Sequence, residues 1–200
     1  MNRKGNMATK TKNWLGHIIA LLSTVGLVAT FWQTAEKIQL LKYPEDPLSC
    51  NINPIVDCGS VLNDGLSAVF GVPNAMIGMV AFSILLTFGL LMMTGVKLTH
   101  RAQQILVVLS LAMFAFSVWF FAASLYVIGK ICIFCVAIWA ATIPLTIVVN
   151  GNYGNSVFPD LKLVQWKLNW FKQKPWQATV VLYLLALILF MYRFRDYYFG

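Results

Sequence analysis

The sequence predicts an all-α integral membrane protein with five transmembrane helices. Three observations carry this. Of 200 residues, 59% are hydrophobic and 11% charged, too apolar for a soluble domain. The apolar residues come in runs long enough to cross ~30 Å of hydrocarbon at ~1.5 Å per residue. The basic residues behind the net charge of +8 sit at the ends of those runs, which fits membrane topology better than a nucleic-acid patch. There is no internal repeat and no glycine pattern of a nucleotide-binding loop.

Residues 1–12 form a basic tail, with Arg3, Lys4, Lys10 and Lys12. Trp14 to Trp32 carries no charge and is followed by no small-x-small cleavage site, so it reads as a retained first helix. Residues 33–74 form a polar, turn-rich loop with Pro44, Pro47, Pro54 and Pro73, and with Cys50 and Cys58. The second span runs from about Ala75 to Val96. A basic turn follows at Lys97–Arg101. The third span covers about Gln103 to Leu125 and the fourth about Gly129 to Val149, with the turn between them near Ser124–Lys130. Residues 150–175 form a lysine-rich linker. Within it, residues 158–172 pattern as an interfacial helix, with Leu161, Val164, Leu168 and Phe171 on one face. The fifth span runs from about Trp176 to Tyr192 and opens the final segment, 176–200.

The charge bias sets the expected orientation. With the N-terminus inside, inner segments hold ten of the 15 basic residues: Arg3, Lys4, Lys10, Lys12, Lys97, Arg101, Lys162, Lys167, Lys172 and Lys174. The outer segments hold Lys37, Lys42, Lys130, Arg193 and Arg195. Five helices then leave the C-terminus outside. All four cysteines fall on the outer, oxidising face: Cys50 and Cys58 in the loop, Cys132 and Cys135 in the first turns of the fourth helix. Lys130 is expected to snorkel to the headgroups.

Four cysteines on one face allow three readings. Two structural disulfides would make a non-catalytic membrane scaffold. A zinc site would use Cys132-x-x-Cys135 as one half, but Cys50 and Cys58 are spaced too widely for the other, and no metal is expected. The third reading is a dithiol relay, in which the loop pair meets a protein and the membrane-level pair meets a lipid-soluble acceptor. A helix N-terminus favours a thiolate at the C-x-x-C, and an apolar setting opposes it.

Ser49-Cys50-Asn51-Ile52-Asn53-Pro54-Ile55-Val56-Asp57-Cys58-Gly59-Ser60-Val61-Leu62 resembles the outer loop of the vitamin K epoxide reductase family, in particular its bacterial members. Phe70-Gly71-Val72-Pro73-Asn74-Ala75-Met76-Ile77-Gly78 and Cys132-Ile133-Phe134-Cys135 complete the pattern, over roughly residues 14–149. DsbB-type oxidases carry the C-x-x-C before the wider pair, the reverse of the order here.

The resemblance implies a four-helix catalytic core, 13–149, around a quinone of menaquinone or ubiquinone type. It implies that Cys50 and Cys58 take electrons from a partner and pass them to Cys132, with Cys135 facing the quinone. It implies that Asn74 bonds a quinone carbonyl, although the residues alone favour a helix N-cap there. Trp139 stands where vertebrate members have a quinone-bonding tyrosine; packing in the bundle is the alternative. Ser60 to Phe70 patterns as a short amphipathic helix, which the resemblance makes a lid over the pocket. The expected partner is a separate thioredoxin-like or DsbA-like protein outside the cytoplasm. The expected setting is the bacterial inner (plasma) membrane, with the active site facing outward and disulfide formation as the outcome. Quinone or quinone-epoxide recycling is the alternative direction. His17, His100 and Met92-Met93 read as structural or solvated.

Overall fold

The computed structural model describes residues 3–45, 48–158 and 169–195. Among them, five helices are long and apolar enough to cross a membrane. They are α1 (Arg3–Lys42), α3 (Asn74–Met93), α4 (His100–Ala123), α5 (Ile133–Tyr153) and α6 (Pro175–Arg193), with a short α2 (Cys58–Asn63) between the first two. The first four spans form a bundle. α1 packs along α3, α5 lies against both α1 and α4, and α6 leans on α5 from outside.

The tight α1–α3 pairing follows from small residues. A Cβ on Gly26 would lie 2.2 Å from the Phe82 ring, and one on Gly89 would lie 2.7 Å from the Ala20 nitrogen. Close backbone approach of this kind is what drives helix association where lipid is as apolar as the side chains. Farther along, Leu15, Ile19, Leu85, Met92, Leu106 and Leu145 fill one core. There α5 is also tied to α4 by Thr146 Oγ1 donating to the Ser110 carbonyl (3.1 Å) and Asn150 Nδ2 donating to Ser110 Oγ (3.1 Å).

Three expectations need correction. The first helix does not stop at Trp32 but continues to Lys42, so the loop begins ten residues later than its polarity implied. Gln33 to Lys42 contains no glycine or proline, and nothing breaks the helix until Pro44. The fourth helix begins at Ile133, so Cys132 is its N-cap and not part of its first turn. The lid segment is not one helix over Ser60–Phe70. Asp64, at ψ 140°, divides it into α2 and a 3-10 turn at Gly65–Ala68, and Asp64 caps that turn by accepting from the Leu66 amide (2.8 Å). Val61 and Leu62 are buried, and so is Ser67, with its hydroxyl on the Leu62 carbonyl (2.7 Å), while Val69 and Phe70 are exposed.

The turn between α4 and α5 falls where the sequence placed it. α4 unwinds into a π-helical turn at Ser124–Ile128, and Gly129, at φ 68°, reverses the chain. Of the expected interfacial helix at 158–172, residues 159–168 lie outside the described residues.

Candidate functional site

The two cysteine pairs lie in one buried cluster. Cys50, Cys58, Cys132 and Cys135 pack with Leu48, Val61, Leu62, Phe120 and Trp139. Cys50 and Cys58 form a disulfide with Cα atoms 5.7 Å apart, and Cys132 and Cys135 are free thiols. The loop pair was expected at the surface. Both its cysteines are instead buried, because α2 and Leu48 close over them.

Short-range polar bonds shape the loop. Asn53 Oδ1 accepts from the amides of Ile55 (2.9 Å) and Val56 (2.8 Å), and Asn51 Oδ1 accepts from Gly59 (3.0 Å). Asp57 caps α2, accepting from the Ser60 amide (3.1 Å) and hydroxyl (2.5 Å). The loop is then laced to the C-x-x-C turn. The Ile131 amide donates to the Ile55 carbonyl (2.8 Å), and the Asp57 amide donates to the Ile131 carbonyl (3.0 Å). The Lys130 ammonium donates to the Pro54 carbonyl and pairs with Asp57 at 3.8 Å. Burial raises the Asp57 pKa, but the Ser60 hydroxyl and amide, then Lys130 and the Gly59 amide, outweigh it and hold the carboxyl below its usual range.

Cys132 precedes the spanning part of α5. A hydrogen bond from the Cys135 thiol, with the Cys135 and Phe134 amides, holds the Cys132 thiol below the usual thiol range. Burial and the charge of Glu36 act against this. The result agrees with a thiol at a helix N-terminus.

Cys135 faces inward. Together with Gln33, Ser67, Phe70, Asn74 and Trp139 it lines a cavity of about 300 Å³ between α1, α3, α4 and α5. Phe82, Met113, Phe116, Phe120 and Ile138 supply much of its apolar wall. Trp139 packs edge-on against Phe121, with ring centres 4.8 Å apart. Asn74 is not an N-cap: Pro73 holds that position. Its Nδ2 donates to the Leu66 carbonyl (2.7 Å) and its Oδ1 accepts from the Val69 amide (3.2 Å), so it pins the 3-10 turn at the cavity rim. An amide nitrogen has two N–H groups, which leaves Asn74 a donor beyond the bond to Leu66.

Gln33 and Glu36 were not singled out from the sequence. Gln33 Nε2 donates to Cys135 Sγ at 3.3 Å, and Glu36 Oε1 accepts from the Ser49 hydroxyl. The available signal was the unbroken helical pattern past Trp32, which puts both residues on one face of α1.

Residues 17–150 match the vitamin K epoxide reductase family. The chain belongs to that family. A comparison with curated proteins finds no match. Family membership makes this a multi-pass membrane oxidoreductase, in a family whose members use quinones. The matched segment contains all four cysteines, the loop, the lid and every residue named on the cavity wall; α6 lies beyond it.

Proposed function

We propose that the chain is a membrane thiol oxidase: it takes electrons from an extracytoplasmic thioredoxin-like or DsbA-like protein and delivers them to a membrane quinone, making disulfides. The observation that carries this is the shared burial of the two cysteine pairs, with Cys135 on the wall of an apolar cavity. A relay has this distribution once electrons have reached the inner pair: the loop pair is a disulfide and the C-x-x-C is reduced. Exchange between the pairs proceeds by thiolate attack through a mixed disulfide. Cys132, with its lowered pKa, suits the exchanging position, and Cys135 suits the acceptor side.

The cavity residues fit a quinone. Their wall is almost wholly apolar, and the few polar groups, Gln33, Ser67, Asn74 and Thr142 among them, suit a flat ring with carbonyls at its edges. A quinone bound there supplies the two-electron acceptor. Asn74 holds the lid and offers an N–H at the rim, Trp139 and Phe121 fix the wall below Cys135, and the lid keeps water from the thiols. The buried loop pair must open to meet a partner protein and close to meet Cys132. This reading places the N-terminus inside, the C-terminus and the active face outside, and the catalytic core at 13–149 in the plasma membrane.

The test is quinone reduction by added dithiol in the purified, lipid-embedded chain. Cys135→Ala should abolish it while the Cys50–Cys58 disulfide and thermal stability persist. Full quinone reduction by Cys135→Ala would sink the reading.

A further inference from the structure

Glu36 is a buried acid outside the four-cysteine pattern. It is 6% exposed, and its Oε2 has no hydrogen-bond partner among the described residues. Its other oxygen accepts from Ser49, the neighbour of Cys50. From α1 its charge acts on the Cys132 thiol. One turn below, on the same face, Gln33 donates to Cys135. Glu36 thus stands where the loop pair and the C-x-x-C meet. Burying a carboxylate oxygen without a partner costs free energy, and such a group in a site calls for a role.

We propose that Glu36 holds the proton in transit during thiol–disulfide exchange between the two cysteine pairs. This rests on the relay reading above. One loop thiol gives its proton to the Glu36 carboxylate, and the resulting thiolate attacks Cys132 Sγ of the oxidised C-x-x-C. The Cys132–Cys135 bond breaks, and its electron pair stays on the Cys135 sulfur, where the Gln33 N–H donates. The second loop thiol loses its proton and attacks the loop sulfur of the mixed disulfide, and Cys132 leaves as a thiolate. Two thiols become one disulfide and one disulfide becomes two thiols. The two protons lost by the loop end on Cys132 and Cys135, so Glu36 returns to its starting form and no outside acid or oxidant is consumed.

Four other charged groups near this end are engaged. Lys37 Nζ donates to the Leu62 carbonyl (2.5 Å), and Asp64 caps Leu66. Lys130 and Asp57 hold each other and the loop backbone. Within this set Glu36 has the orphaned oxygen.

The experiment follows internal exchange alone, so it reads Glu36 separately from quinone chemistry. The full chain, with both pairs oxidised and no quinone added, is mixed with dithiol, acid-quenched at intervals and alkylated to count Cys132 and Cys135 thiols by mass. Wild type, Glu36→Gln, Glu36→Asp and Ser49→Ala are compared from about pH 6 to about pH 9, where an ordinary thiol begins to ionise unaided. Glu36→Gln should slow the appearance of inner thiols by about 100-fold at the acid end, with the gap closing at the alkaline end. Glu36→Asp should recover part of the rate, and Ser49→Ala should fall between. A Glu36→Gln chain with the wild-type rate and pH profile overturns the proposal. So does an equal loss at every pH, the mark of a merely structural acid. A wild type that exchanges electrons between its pairs but reduces no quinone refutes the relay's terminal step and leaves the Glu36 result standing.

Discussion

Replacing Lys130 with Met should loosen the disulfide loop by an amount that can be worked out in advance. The aliphatic stem is kept and two links are lost. The ion pair with Asp57, at 3.8 Å and with both side chains partly exposed, contributes roughly 0.5 kcal/mol after solvent screening. The ammonium bond to the Pro54 carbonyl, an exposed charge-assisted hydrogen bond, contributes roughly 1.5 kcal/mol. Together that is about 2 kcal/mol, or about 30-fold in the population of the opened loop. The two backbone bonds through Ile131 remain and keep the loop's path.

Native-state hydrogen exchange, read by mass on peptides covering Ile131 and Asp57, measures that population directly. The same opening should speed reduction of the buried Cys50–Cys58 disulfide by a small dithiol. The pH dependence has a fixed sign. The Asp57 pKa is lowered on folding, so its contribution is complete above the unfolded carboxylate value and lost as pH falls through the lowered folded value. The gap between Lys130→Met and wild type should therefore be flat through neutral pH and shrink only in strong acid. Exchange at Ile131 and Asp57 within twofold of wild type would refute the view that Lys130 holds the loop closed.

Two further outcomes follow. Cys58→Ser or Cys50→Ser should accumulate a mixed disulfide with the partner protein, identifiable by mass, and a chain that traps nothing in either form counts against a protein donor. Gly26→Ala should lower the thermal midpoint by the equivalent of about 1–3 kcal/mol of overpacking, because its Cβ would meet the buried Phe82 ring that walls the cavity. An unchanged midpoint would mean that α1 and α3 can part without cost.

The spans were legible because membrane thickness sets a length and hydrocarbon sets a composition, and both are visible in one sequence. The C-x-x-C turn was legible for the same reason: it lies between two apolar runs that cannot be one helix. The loop was harder. Its polarity is real, but polarity does not distinguish a coil from a helix that runs on past its apolar stretch, and Gln33 to Lys42 is the second. Glu36 and Gln33 were lost with that boundary. The burial of Cys50 and Cys58 was illegible for a different reason: it depends on Asp57, Ile131 and Lys130 meeting across more than seventy residues of chain, and nothing local in either segment encodes that pairing. Asn74 shows the remaining gap. Its residue type at a helix start fits a cap, and only the position of Leu66 and Val69 shows that the amide is spent on the lid.

The underwound end of α4 brings the fifth helix up against the turn that precedes the C-x-x-C. The Leu125 carbonyl, in that last turn, accepts from Arg193 Nε of α6 at 3.0 Å, as the unpaired carbonyls of a helix end require. Phe194 packs beside it, against Ile55 of the disulfide loop and Ile131 of the C-x-x-C turn. The segment that matches the family ends at residue 150, forty-three residues before that arginine. A residue from beyond the family segment therefore packs against both cysteine-bearing stretches, the loop and the C-x-x-C turn.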